Sequence, residues 1–264
     1  MKKVFNPLLA AIFTAAMVFA SCGGSSAGKL ICGVTEFEPM NYRDSSGNWI
    51  GFDCEVAILV GEKLGMKVEF QEIVWEKKYH ELDSGSINAI WNGFTANATE
   101  NGVPRANMVD FSYSYLRNQQ CIVVRAERAG EFKSISDLSG KIAAAERGSA
   151  GESFAKDAIG NGRVLGASSY INTLLEVKSG AADFAVIDIL FAQRVVGTAD
   201  YTDIEIADIT LEYEVFAVGF KKGSDLRQKV NNALKELYDE GKLHEIAVKY
   251  GLEDSLILDT GFRR

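Results

Sequence analysis

Histidine is almost missing from this chain. Its 264 residues contain two, His80 and His244, each inside an amphipathic helical stretch where a solvated or structural role is expected. That scarcity argues against a histidine-centred nucleophile system and against a histidine zinc site. GxSxG, HExxH, GxxxxGK[ST] and GxGxxG are also absent, so hydrolase and nucleotide chemistry lack their usual marks. Cysteine is sparse. After Cys22 come only Cys32, Cys54 and Cys121, with no CxxC or Cys/His metal spacing, so buried apolar thiols are expected rather than a disulfide framework or a metal knuckle. Positive charge is short too: 28 Lys and Arg stand against 36 Asp and Glu, with no basic cluster to attract nucleic acid. No catalytic residue, metal or cofactor is expected.

What is present begins with a leader. Residues 1–21 carry two lysines, an apolar stretch from Val4 to Ala20 interrupted by Asn6-Pro7, and small residues before Cys22. This is the layout of a secretory signal peptide, too short and broken for a membrane-spanning helix. The Ala20-Ser21-Cys22 ending resembles a bacterial lipobox, which implies lipidation at Cys22 and a flexible Gly/Ser tether over residues 22–28. Without Lys2 and Lys3, the net charge falls from −8 to −10. With 47% apolar residues, the remainder can bury a core and form one large domain or two modest lobes.

Short β-like runs alternate with helical ones, which argues for α/β architecture. Residues 29–34 read as a strand and 53–65 as a helix opened by an N-cap acid, Asp53, and stopped by glycine. Its apolar stripe is Val56, Leu59, Val60 and Leu64. A strand at 66–73, a helix at 75–84 and a short strand at 87–91 follow. The rhythm restarts with strands at 121–125 and 141–146, a helix at 149–159, a strand at 164–166 and a helix at 170–179. Strand 183–187, helix 189–196, strand 215–220 and helix 225–240 complete it, the last with Leu226, Val230, Leu234 and Leu237 facing inward. Two βα blocks predict two lobes, and residues 115–120 and 211–215 read as short extended crossings between them.

Each block has a glycine break beside a small hydroxyl residue: Asn92-Gly93-Phe94-Thr95 in the first, Arg147-Gly148-Ser149-Ala150 in the second. A glycine turn opening onto a helix start exposes backbone N–H groups where the dipole favours an anion, although Ser149 also suits a plain N-cap. Asp188 directly follows strand 183–187. An acid there is commonly structural, yet the carboxyl ends of strands in open α/β sheets are also where ligands sit.

Six ordered segments, from CGVTEFEPMNYRDSSGNWIGFDCEVAILVGEKLG through LDSGSINAIWNGFT, RANMVDFSYSY, SDLSGKIAAAERGSAGESF and SGAADFAVIDILFA to VGFKKGSDLRQKVNNALKELYDEGKLHEIAVKYG, resemble the bacterial extracellular solute-binding proteins of the polar amino-acid type, family 3. The resemblance implies a periplasmic-binding-protein-like α/β fold: residues 29–116 and 214–264 as one lobe, 117–213 as the other, and two crossing hinge strands between them. It implies an exported, membrane-anchored monomer that captures an amino acid in the cleft and delivers it to an ABC transporter permease.

Carried over residue by residue, the resemblance gives Arg105 the ligand α-carboxylate, through a guanidinium fork that never loses its charge. Thr95 adds its hydroxyl and N–H, and Ser149 and Ala150 add N–H groups. The Gly93 carbonyl and the Asp188 carboxylate meet the α-ammonium. Phe37 and Trp75 match the aromatic positions around the side chain, and Phe94 belongs to the same loop. Two departures bear on this set. Arg105 follows Thr95 by ten residues, a longer gap than the family's usual one, with the extra residues in 97–104 expected to form a loop. Val34 stands where basic-ligand relatives carry an acid, while Glu146 stands where many relatives have a neutral or basic residue. A Glu146 facing the cleft favours a ligand with a donor or a positive side chain, and Glu36 and Glu38 could add to that field. Sensory domains and a dehydratase-like enzyme on the same fold are the alternatives.

Overall fold

The computed structural model describes residues 28–261; the leader and Cys22 lie outside them. Two sheets organise the chain. In the first, Lys29–Val34 lies between Lys67–Glu72 and Ala89–Ile90, parallel to both. Gly219–Phe220 then pairs antiparallel with Ala89–Ile90 and with Asp110–Phe111. In the second, Ile142–Glu146 lies between Arg163–Ala167 and Phe184–Asp188, again parallel to both. The βα repeats read from the sequence therefore form two α/β lobes, as apolar strands covered by helices require.

One strand serves both the junction and the second sheet. Ser114–Arg125 pairs antiparallel with Tyr213–Phe216 over its first half, from Leu116↔Phe216 to Gln119↔Tyr213. Its second half pairs with Phe184–Asp188, from Gln120↔Asp188 to Val124↔Phe184. The two expected crossings are thus hydrogen-bonded to each other. Strand alternation sets Asn118 and Gln120 on one face, with Glu214 opposite the first and Asp188 opposite the second.

Several local expectations shift. The run expected as one strand over 215–220 is broken at Ala217–Val218 into Tyr213–Phe216, at the crossing, and Gly219–Phe220, in the first sheet. Helix 53–65 is Phe52–Leu64, and its N-cap is Gly51, not Asp53. Asp53 is fully buried, and its Oδ2 accepts the Gly93 N–H at 2.7 Å. The expected loop at 97–104 is a hairpin, Thr99–Glu100 against Val103–Pro104, turned by Asn101 (φ 50°) and Gly102 (φ 78°). Two residues with positive φ match the twist of the flanking strands, which is why Asn-Gly suits such turns.

The core follows the apolar pattern. Val56 and Val60 of the first long helix are buried while Leu59 and Leu64 are half-buried, and Val230, Leu234 and Leu237 of Leu226–Asp239 are buried. Cys32, Cys54 and Cys121 are buried free thiols, and burial pushes the Cys54 thiol up to about 12. His80 and His244 are exposed on their helices. No described helix is long and apolar enough to cross a membrane.

Candidate functional site

Between the lobes lies a small chamber, lined by Thr35, Phe37, Trp75, Asn92, Gly93, Thr95 and Arg105 from one side and Glu146, Ser149, Ala150, Tyr170 and Asp188 from the other. Nine of the ten residues expected at the site meet there. Phe94 does not: its buried ring packs edge-on to Trp75, with centroids 5.5 Å apart, and lies 4.8 Å below the Arg105 guanidinium carbon. It supports two wall residues from behind.

Local backbone chemistry places the first wall. Gly93 has φ 55°, a left-handed conformation that side chains resist, and a Cβ there would stand 2.5 Å from Phe37 Cε1. Asn92 clasps Thr35, accepting its N–H at 2.9 Å and donating to its hydroxyl at 2.7 Å. Thr95 forms an isolated bridge with Phe216, but the bonds run through Ala96 and Ala217, so the Thr95 N–H stays out of it.

Arg105 is 1% exposed, at the start of a short helix after Pro104. Nε meets Glu100 Oε2 at 3.3 Å, Nη1 donates to the Thr95 carbonyl at 3.2 Å, and Nη2 donates to the Gly148 carbonyl at 2.9 Å. A guanidinium has five N–H groups, so one remains on each terminal nitrogen. Lys78, fully buried, reaches the same Gly148 carbonyl at 2.9 Å and Glu100 Oε2 at 3.1 Å. Burial, then repulsion from Arg105, pulls its ammonium down to about 8. Nothing in the sequence separated Lys78 from a solvated helix lysine; the Asn101-Gly102 pair, however, was a usable sign of the hairpin that carries Glu100.

The second wall is acidic. Ser149 is a true N-cap: its hydroxyl accepts the Glu152 N–H at 2.9 Å, and its own N–H bonds the Glu146 carbonyl at 3.1 Å. That takes up the Ser149 N–H and shifts the backbone anion-facing role toward Ala150. Asp188 heads helix Ile189–Val195, yet its carboxylate makes no cap bond. Instead it accepts from Asn118, Gln120 and the Tyr170 hydroxyl. Burial raises its carboxyl, and Glu214 raises it further. Glu146 is 6% exposed, lines the chamber and accepts no side-chain hydrogen bond among the described residues; burial and then Asp188 push its carboxyl up to about 8. Tyr170 and Glu214 escaped sequence reading because their role depends on neighbours far along the chain.

Side-chain selectivity was expected to turn on Val34, Trp75, Glu146 and Ile187. Trp75 and Glu146 face the chamber, whereas Val34 and Ile187 are buried in the hydrophobic core. Glu36 and Glu38 are exposed. Phe37 faces Tyr170 across the lobes, edge-on at 5.3 Å.

Two α/β lobes joined by paired strands and closed over a polar chamber define a ligand-capturing receptor, the periplasmic-binding-protein type. The chain belongs to the bacterial extracellular solute-binding proteins, family 3, whose pattern matches residues 30–253. It is similar to the arginine-binding extracellular protein ArtP of Bacillus subtilis, 30% identical over 260 residues, covering 95% of this chain and 98% of that protein. The L-cystine-binding protein TcyA of the same organism is 29% identical over 220 residues, covering 83% and 79%. Among solved structures, an ABC uptake transporter substrate-binding protein from Streptococcus pneumoniae with bound histidine superposes with a TM-score of 0.76 at 31% identity, covering 86% of this chain and 94% of that one.

Proposed function

We propose that this protein captures an amino acid between its lobes and delivers it to the permease of an ABC importer. The observation that carries the reading is the pairing of opposite chemistries across one small space. A buried arginine with N–H groups beyond those its protein partners take stands on one lobe, and a carboxylate, Asp188, stands on the other. A zwitterion satisfies both at once.

In this reading Arg105 holds the α-carboxylate, with Thr95 and Ala150 adding N–H groups and Ser149 shaping the turn. Asp188 and the Gly93 carbonyl hold the α-ammonium, and Phe37, Trp75 and Glu146 surround the side chain. Each lobe holds part of the ligand's partners, so binding draws the hinge equilibrium toward closure. Residues 29–116 with 214–264 would form one lobe and 117–213 the other. A monomer exported under the leader and tethered through a lipid on Cys22 suits this role. Binding rather than turnover is supported by relatives whose names are those of binding proteins. Calorimetry against the twenty amino acids, ornithine and cystine tests the proposal: one should bind well below millimolar, and none doing so would refute it. Turnover of a prephenate-like acid would replace it with an enzymatic role.

A further inference from the structure

We propose that the chamber takes a cationic amino acid, and that binding it drives protons off a cluster of buried acids, with the hinge carboxylate Glu214 coupling the two. This rests on the amino-acid reading above and names the ligand class and its linkage.

The geometry starts with Glu146. Its carboxyl is more than nine-tenths buried, faces the chamber, and has neither hydrogen bond nor ion pair among the described residues. Behind the chamber, Asp188 and Glu214 share donors. Gln120 Nε2 lies 2.8 Å from both Asp188 Oδ1 and Glu214 Oε2, and Asn118 Nδ2 reaches both as well. Two carboxylates can share single amide groups only if they lie close together. The hydroxyl of Thr95 donates to Glu214 at 3.3 Å.

The charges around the chamber do not balance. Lys78 and Arg105 are the cations, and both already contact Glu100. Against these two cations stand four carboxylates, Glu100, Glu146, Asp188 and Glu214, so two negative charges are in surplus, and a neutral zwitterion, bringing one charge of each sign, cancels neither. Burying unpaired carboxylates is costly, so they hold protons until a cation replaces them. Burial is the first cause raising all three carboxyls; Glu214 raises Asp188 further and Asp188 raises Glu146, while Lys78 lowers Glu146, and the Gln120 hydrogen bond and then Arg105 lower Glu214. The remaining titratable neighbours, Tyr170 and Cys121, are themselves pushed up by burial and by Asp188, so they stay neutral.

A ligand with a second positive group at Glu146 reverses this. The carboxyl O–H bonds release their protons to the buffer, and the ligand's ammonium and side-chain cation stand in their place. Glu214 also borders a separate groove lined by Asn97, Gln120 and Tyr213, which gives its proton a way out while the lobes are shut. Since the bound state carries fewer protons, affinity rises with pH, about tenfold per pH unit for each proton released.

The test is calorimetry of the purified protein with L-arginine and with its neutral isostere L-citrulline, in phosphate and in imidazole buffer. Arginine should bind at least tenfold tighter, with heats that differ between buffers by an amount reporting proton release. Its affinity should climb as pH rises through about 7 and about 8, where the Asp188 and Glu146 carboxyls lose their protons. Glu146→Gln and Glu214→Gln should each reduce the proton count; if either fails to fold, the wild-type pH series decides alone. Arginine binding without buffer or pH dependence overturns the inference. So does citrulline or another neutral amino acid binding as tightly, an outcome that leaves amino-acid capture standing. If no amino acid binds, both fall together.

Discussion

Arg105 on one lobe donates through Nη2 to the carbonyl oxygen of Gly148 on the other, across 2.9 Å. Lys78 reaches the same oxygen at the same distance. Closure is thus held partly by protein contacts, while within its own lobe the guanidinium is held by Glu100 and the Thr95 carbonyl before it meets any ligand. A fork positioned this way loses little freedom on binding, which is the usual advantage of arginine over lysine at such sites.

Arg105→Ala should therefore weaken amino-acid binding by about 2–5 kcal/mol, as for truncating one partner of a buried charged pair. Arg105→Lys should recover little, because a point charge cannot present two parallel donors. Calorimetry on both variants decides; unchanged affinity would remove Arg105 from the carboxylate role.

Glu100, at the tip of the inserted hairpin, contacts both buried cations. Removing it strands them together. Glu100→Ala should destabilise the fold by about 3–5 kcal/mol in urea unfolding. An effect under about 1 kcal/mol would place this pair in the class of weak surface contacts.

The Gly93 N–H depends on Asp53, forty residues earlier in the chain. Asp53→Ala leaves that buried donor unpaired and should cost about 1–3 kcal/mol of stability, with weaker ligand binding as Gly93 moves. Asp53→Asn keeps an acceptor and should cost less. Gly93→Ala meets both the positive φ and the Phe37 ring, and should lose binding even where the protein folds.

Stability without ligand should depend on pH in a defined direction. Glu146 and Asp53 hold their protons up to about 8 and about 7 in the folded state. Unfolded carboxyls ionise near about 4. Their contribution is complete below that lower value and is lost as pH rises through the folded values. Melting temperature should fall between about pH 5 and about pH 8, and Glu146→Gln should flatten the upper part of that fall. A wild-type melting temperature that rises across this range would contradict the buried state of these acids.

Much of this was legible because its signals are local. Glycine after the first helix, Ser149 at a helix start and the alternation of strands with helices all act within a few residues, and the elements follow them closely. The misreadings came from pairings across the chain. Asp53 has the sequence position of an N-cap, yet its partner is Gly93; Glu214 sits in an unremarkable crossing, yet faces Asn118 because two strands set that register. The hairpin at Thr99–Glu100 lay between: its Asn-Gly turn was local, but the destination of Glu100 was not.

Gly219–Phe220 lies in the middle of the first sheet, bonded to Ala89–Ile90 on one side and Asp110–Phe111 on the other. Asp110–Phe111 joins its sheet through that segment, so the layer begun by the earlier-made strands closes only when it arrives. The second lobe's parallel strands, by contrast, lie in one continuous stretch of chain. The order in which the chain is produced is therefore not the order in which its lobes can mature: the lobe begun first must finish last. Protease protection of progressively longer chains would reveal it as a late, abrupt gain at residues 29–111 once residue 220 is present, and early protection there would show the opposite.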